Sequence, residues 1–165
     1  MTTAEHTSGL SDHVKAEIDR WRAKFPAGRQ RSAVIAALHA VQHEQHYLTP
    51  EAMQAVADYL QLPPIQVFEV AAFYSMFETK PVGRHSISVC TNISCMLCGG
   101  DRILDHVQRR LGIEPGQSTA DGKFFLKQEW ECLAACTGAP MMMIDHKYYE
   151  NLTPERVDEI LDTLE

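Results

Sequence analysis

The chain has 165 residues, 45% hydrophobic and 22% charged, with a formal net charge of −7. That is ordinary globular composition, enough for one domain or for a small core domain with an appended helical segment, and the change of pattern along the chain favours the second. The acidic balance and the lack of a Lys/Arg-rich run argue against nucleic acid and against an anionic membrane surface, because phosphate neutralisation needs clustered positive charge; no apolar run approaches the roughly 20 residues of a spanning helix, so any membrane association is expected to go through another protein.

Residues 1–10 read as a flexible polar tail, without the apolar core of a secretion signal or the Arg-rich bias of an organellar presequence, so the protein is expected to stay in the compartment where it is made. Ser11 is the expected cap of a helix through Val14, Ile18, Trp21 and Phe25, stopped by Pro26-Ala27-Gly28. A second helix is predicted from about Ser32 to His46, with Val34, Leu38 and Val41 on its buried face. Thr49-Pro50-Glu51 starts a third, with Thr as cap and Pro at the first position, which reaches about Leu60 and ends at Leu62-Pro63-Pro64. A fourth, strongly apolar, is predicted from Pro64 to Phe77. Residues 11–77 are therefore expected to be a helical N-terminal domain, a bundle of four short helices.

The segment 78–84, with Pro81 and Gly83, is the predicted linker to a second domain over 85–165. His85 to Cys90 alternates as a strand does, and a helix follows from Leu97 or Gly100 to Leu111 with Ile103, Leu104, Val107 and Leu111 inward. Asp121-Gly122 opens a strand from Lys123 to about Glu131. Another, Met141 to Asp145, is expected to pair through a His146-Lys147 turn with Tyr148-Tyr149. Thr153-Pro154-Glu155 repeats the helix start, and the last helix, to Leu164, should bury Val157, Ile160, Leu161 and Leu164. The order is βαβββα, an α+β or α/β layer arrangement of thioredoxin-like proportions.

All five cysteines lie in two loops, Cys90-Thr-Asn-Ile-Ser-Cys95-Met-Leu-Cys98 and Cys132-Leu-Ala-Ala-Cys136. An odd count without an export signal points to metal or redox chemistry, not a disulfide framework. Each loop sits where a predicted strand ends. If those strands are neighbours, four thiolates converge, as a 2Fe-2S cluster requires, with two thiolates on each iron. Thr91, Asn92, Ser94, Thr137 and Gly138 keep the loops small and polar, leaving backbone N–H groups to donate to sulfur.

The spacing admits two ligand sets. Cys90-x4-Cys95-x2-Cys98 with one later cysteine fits the plant-type ferredoxin pattern and leaves Cys136 idle. Pairing Cys90 with Cys95 and Cys132 with Cys136 leaves Cys98 spare, and is preferred because Cys98 precedes Gly99-Gly100 at the start of a helix that would carry it away. A structural zinc ion would also use four thiolates, but its loops more often carry C-x2-C pairs. A thiol-disulfide motif at Cys95-Met-Leu-Cys98 would explain neither Cys90 nor the second loop. His39, His43 and His46 share a helical stripe that flanks the apolar face and are expected at the surface or an interface. Met141-Met142-Met143 alternate faces in a strand and are expected to pack in the core.

The pattern Cys90-x4-Cys95, then Cys132-x3-Cys136 followed by Ala139-Pro140, with Ala72-Phe73-Tyr74 and Pro81-Val82-Gly83 upstream, closely resembles the E-type iron-sulfur subunits of bacterial NADH:quinone oxidoreductase (complex I), the small 2Fe-2S components of its NADH dehydrogenase module. The resemblance runs from about Trp21 to Leu164. It implies an N-terminal helical bundle followed by a thioredoxin-like 2Fe-2S ferredoxin domain. It implies one 2Fe-2S cluster held by Cys90, Cys95, Cys132 and Cys136, and no ligand role for Cys98. It further implies docking on a larger flavoprotein subunit that carries FMN and the NADH site, next to other peripheral-arm subunits. The chain would then be an electron-transfer component at the cytoplasmic, inner face of the cell membrane, exchanging single electrons with FMN. Related modules serve NAD-linked hydrogenases and formate dehydrogenases as diaphorase components. No G-x-G-x-x-G opens a helix and no P-loop is present, so nucleotide binding by this chain itself has no support.

Overall fold

The structure is a computed structural model that describes residues 9–164. Of the polar tail expected over residues 1–10, residues 1–8 lie outside the described residues. The chain divides into two compact units, Met1–Pro81 and Val82–Glu165, with the boundary inside the segment 78–84.

The first unit is helical. Ser11 caps α1 (Asp12–Arg22) by accepting the Val14 N–H at 3.1 Å. The last turn then tightens, with Lys24 N–H donating to the Trp21 carbonyl and Phe25 N–H to the Arg22 carbonyl, so the α-helix ends before Phe25. A 3-10 turn (Gln30–Ala33) leads into α2 (Val34–Gln45), closed by His46 in the left-handed region. Thr49 caps α3 (Pro50–Leu60), and Gln61, also left-handed at φ 56°, ends it. Val14, Ile18, Leu38, Val41, Val56, Leu60 and Val67 form the buried centre of this unit. Each side chain of this kind contributes about 1.5–3 kcal/mol by leaving water.

The fourth helix, α4, is Pro64–Phe73, four residues shorter than the apolar run suggests. The cause is tertiary. The Gln42 side chain donates to the Met76 carbonyl at 2.9 Å and accepts the Glu78 N–H at 2.7 Å, which holds 76–78 out of the helix. His39, expected at the surface or an interface, is instead half-buried within this unit, contacting the Met76 sulfur at 3.2 Å and packing on the Phe77 ring.

The second unit is a five-stranded mixed sheet in the order β2-β3-β1-β4-β5. The strands are β1 (His85–Val89), β2 (Gln117–Ser118), β3 (Phe124–Leu126), β4 (Met142–Ile144) and β5 (Lys147–Tyr149). β1 is central, parallel to β3 (His85↔Phe124) and antiparallel to β4 (Ile87↔Ile144). Three helices belong to this unit: α5 (Ile93–Leu97), α6 (Gly100–Leu111) and α7 (Pro154–Thr163). Ile87, Val89, Leu126, Met142 and Ile144 of the sheet pack with Ile103 and Val107 of α6 and with Val157, Ile160 and Leu161 of α7. Leu164 is half-buried against that core. Gly83 leads into the sheet because nothing larger fits: a Cβ there would stand 2.4 Å from the Phe124 carbonyl carbon.

Several expectations need correction. The strand predicted over 123–131 ends at Leu126, so residues 127–131 separate it from Cys132. β2, two exposed residues paired with β3, has no counterpart among the predicted elements. The first strand ends at Val89, one residue short. The short helix α5 stands apart from α6, and Gly99 at φ 92° breaks the two. The β4–β5 turn is Asp145-His146, not His146-Lys147, with both residues left-handed at φ 48° and 66° as a two-residue hairpin of inverse hand requires. Asp145 makes this possible by tying the turn to β1: its carboxylate accepts the Ser86 N–H at 2.9 Å and meets His85 Nδ1 at 2.6 Å.

Candidate metal centre

Parallel pairing of β1 and β3 sends the chain out of both strands at the same edge of the sheet. Cys90 follows β1 directly. Asn92 caps α5 through its side chain, and that helix turns Cys95 back under Cys90; both residues are buried, at 1% and 2% exposure. The second loop reaches the same place after residues 127–131. Leu133, between the two cysteines of that loop, is buried with Cys90, Cys95 and Met141 in one small cluster. This leaves Cys132 and Cys136 facing outward, both exposed, with their sulfurs 3.5 Å apart.

The thiols lie close to one another. The Cys132 and Cys136 sulfurs are in hydrogen-bond contact, and Cys90 is near enough to Cys95 and Cys132 to bear on the titration of both. Cys136 is near enough to Cys95 for its charge to be felt there. Burial first, and then the nearby Cys90 thiol, push the Cys95 thiol up to about 11, against a backbone hydrogen bond from Met141 that favours the thiolate. Cys132 goes the other way. The Ala134 N–H donates to its sulfur at 3.4 Å and holds its pKa below the ordinary thiol value. Ala134 reaches that position in the left-handed region, at φ 62°.

The framework around the sulfurs is tight. Cys90 N–H donates to the Met141 carbonyl at 3.2 Å, joining the first loop to the strand after the second. A Cβ at Gly100 would meet the Cys90 carbonyl oxygen at 2.7 Å, and one at Gly138 would meet the Glu150 side chain at 2.5 Å. Gly138 ends the 3-10 turn Cys136–Gly138 that carries the last cysteine.

All four sequence-predicted ligands, Cys90, Cys95, Cys132 and Cys136, are therefore drawn together, and all are free thiols. Cys98 does not enter this set of contacts among the described residues. It caps the C-terminal end of α5, exposed, instead of standing at the start of the long helix as expected. The parts played here by Leu133, Ala134, Met141 and Gly100 are missed by sequence reasoning. Of these, Gly100 has a signal: a glycine pair directly after a cysteine loop marks close backbone approach.

Among the described residues, no three His, Cys, Asp or Glu side chains are arranged to hold a single metal ion. The arrangement present is an inner buried pair and an outer exposed pair. That donor set fits a binuclear cluster, in which each iron takes two thiolates, and the Ala134 and Met141 hydrogen bonds to sulfur are of the kind that tune such centres. Of Met141, Met142 and Met143, Met142 lies in the sheet core and Met141 in the cysteine cluster.

Residues 18–165 match the family model described as Thioredoxin-like [2Fe-2S] ferredoxin. Over 150 residues the chain is 39% identical to the NADH-quinone oxidoreductase E subunit 2 of Rhizobium meliloti (strain 1021), covering 91% of this chain and 88% of the relative. It is 42% identical over 142 residues to the NADH-quinone oxidoreductase E subunit of Rickettsia bellii (strain RML369-C), covering 86% and 84%. The corresponding protein of Mycobacterium tuberculosis (strain ATCC 25618 / H37Rv) is also 42% identical over 154 residues, and there the chain spans 60% of the relative's length. Among solved structures, the chain resembles part of an NAD+-reducing [NiFe]-hydrogenase in the H2-reduced state. That likeness has a TM-score of 0.65 and 26% identity, over 77% of this chain and 22% of the hydrogenase chain. The same kind of enzyme in the air-oxidized state gives a TM-score of 0.61 at 21% identity, over 98% of this chain and 24% of the other, a likeness of fold.

Proposed function

Because the chain belongs to the thioredoxin-like 2Fe-2S ferredoxin family and, within it, to the E subunits of NADH-quinone oxidoreductase, we propose that Cys90, Cys95, Cys132 and Cys136 hold one 2Fe-2S cluster. Through it the chain exchanges single electrons with FMN on a larger flavoprotein subunit. The observation that carries this is the convergence of four thiols out of five from two loops, in two pairs, at one edge of the sheet.

When bound, such a cluster takes up and gives back one electron at a time, which complements the hydride chemistry of a flavin. The protein's part is electrostatic and steric. Cys90 and Cys95 exclude water from one side, and the Ala134 and Met141 backbones donate to sulfur and favour the thiolate state needed for ligation. The outer pair stays at the surface, where a partner can come close. In this reading NADH, quinone and FMN are bound by other subunits.

The helical first unit is proposed as a docking surface for the flavoprotein subunit, supported by Ile65 and Phe73 of α4, exposed at 68% and 80%. Recovery of an equally tight complex after deletion of residues 1–77 would overturn that role. Among the described residues no helix is long and apolar enough to cross a membrane, so the proposed place at the inner face of the cell membrane depends on the other subunits.

The test is iron, sulfide and zinc analysis of anaerobically purified protein, with visible and EPR spectra before and after dithionite. Iron and sulfide in equal amounts, with a reduced-state EPR signal lost in Cys132→Ser and Cys136→Ser but kept in Cys98→Ser, are expected. Colourless zinc protein would overturn the reading. The resemblance to NAD+-reducing hydrogenase supports a second assignment, as the diaphorase component of such an enzyme. Identification of the co-purifying large subunits separates the two.

A further inference from the structure

Cys132 and Cys136 differ from Cys90 and Cys95 in exposure, and their sulfurs are near neighbours. Their sulfurs stand 3.5 Å apart and both are exposed, whereas Cys90 and Cys95 are buried at 1% and 2%. An S–S bond is about 2.05 Å, so closing it needs about 1.5 Å of side-chain movement. The loop carries short side chains at Ala134 and Ala135 and is anchored by buried Leu133 between the two cysteines. Cys98 is also exposed but sits at the end of α5, outside the set of thiol contacts among the described residues.

We infer that Cys132 and Cys136 form a thiol-disulfide site in the cluster-free chain, closed by a low-molecular-weight disulfide, and that closure shuts the chain to iron and sulfide. The chemistry is two exchanges. One thiolate of the pair attacks a sulfur of the external disulfide, breaking its S–S bond and expelling one small thiolate. The second cysteine, as thiolate, then attacks the mixed disulfide on the first, forming the Cys132–Cys136 bond and expelling the other small thiolate. The pair is oxidised by two electrons, the external disulfide is reduced to two thiols, and the two cysteine protons end on them or in solvent. The buried pair is out of reach of a bulky oxidant. With the outer pair closed, two of the four sulfur donors are no longer thiolates, the form that binds metal.

The inference rests on the cluster reading for its consequence and not for its chemistry, so the two are tested separately. The cluster-free full-length chain is treated with oxidised glutathione, and remaining thiols are alkylated. The expected result is loss of two hydrogens from the Cys132–Cys136 peptide and free thiols at Cys90 and Cys95. Cys98→Ser leaves that bond intact, and Cys136→Ser converts the product to a glutathione adduct on Cys132. Uptake of iron and sulfide is expected to be lost on oxidation and to return with dithiothreitol. A bond at Cys95–Cys98, or separate adducts on Cys132 and Cys136 in the unsubstituted chain, would overturn the site; undiminished uptake by the oxidised chain would overturn its gating role. A Cys132–Cys136 bond in a chain that takes up no iron and sulfide even when reduced supports the thiol site and counts against the cluster reading.

Discussion

Gly100 lies so close to Cys90 that a methyl group on it would stand 2.7 Å from the Cys90 carbonyl oxygen and 2.9 Å from that of Cys95. The first turn of α6 is thus packed directly on the cysteine loop, and the contacts are backbone atoms that cannot swing aside. Gly100→Ala is expected to destabilise the second unit by about 1–3 kcal/mol. Iron content should fall in step, since the loop must move to admit the methyl. Thermal unfolding followed together with iron and sulfide analysis checks both. An unchanged Tm would show that the loop yields freely.

The thiols of the cluster-free chain should separate by reactivity. Thiolate is the nucleophile, so a group whose pKa is raised stays protonated and unreactive until the pH approaches that value. Alkylation near neutral pH is expected first at exposed Cys132, held low by the Ala134 N–H, and last at buried Cys95, which reacts only as the pH nears about 11. Mass mapping of partially alkylated protein gives the order. Early modification of Cys95 would contradict the burial that sets its shift.

Leu133 anchors the second loop through packing alone. Leu133→Ala removes its contacts with Cys90, Cys95 and Met141, at a cost of about 2–3 kcal/mol, the low end for a site at the edge of a core. Weaker retention of iron against a chelator is expected, with Leu133→Met close to the unsubstituted protein because volume is kept.

In the helical unit, Gln42→Ala would leave the Met76 carbonyl and the Glu78 N–H without the partner that holds them. The expected loss is about 1–3 kcal/mol, with faster amide hydrogen exchange confined to the neighbourhood of residues 76–78. Gln42→Glu keeps the acceptor for Glu78 but loses the donor to Met76, and should fall between.

Gln61 ends α3 with φ 56°, a conformation that costs a side chain about 1 kcal/mol relative to glycine. Gln61→Gly is expected to raise the Tm of the helical unit by about 4–8 °C. A lower Tm would mean that the glutamine side chain stabilises the turn by contacts that outweigh the strain.

Much of this molecule is written in local chemistry. Thr49-Pro50-Glu51 and Thr153-Pro154-Glu155 mark α3 and α7 because a cap oxygen, a ring-fixed φ and a first-turn acid act within one helical turn. The four ligand candidates are legible because cysteines are few and crowd into two loops. Where the outcome depends on distant partners, local signals mislead. The apolar run into Phe77 looks helical until Gln42, more than thirty residues earlier, captures Met76 and Glu78. The turn at Asp145-His146 lacks the usual glycine because Asp145 is held by Ser86 and His85 of another strand.

The same division runs through the candidate site. Sequence by itself determined the family, the kinds of helix start and the set of thiols, since residue type and short spacing carry those. Tertiary structure alone decided that β1 and β3 lie side by side, that Leu133 and Met141 wall the thiols, and that Cys90 and Cys95 are buried while Cys132 and Cys136 face outward. Burial and sulfur hydrogen bonds arise from residues far apart in the chain that meet only when the sheet closes, so spacing within one loop does not encode them.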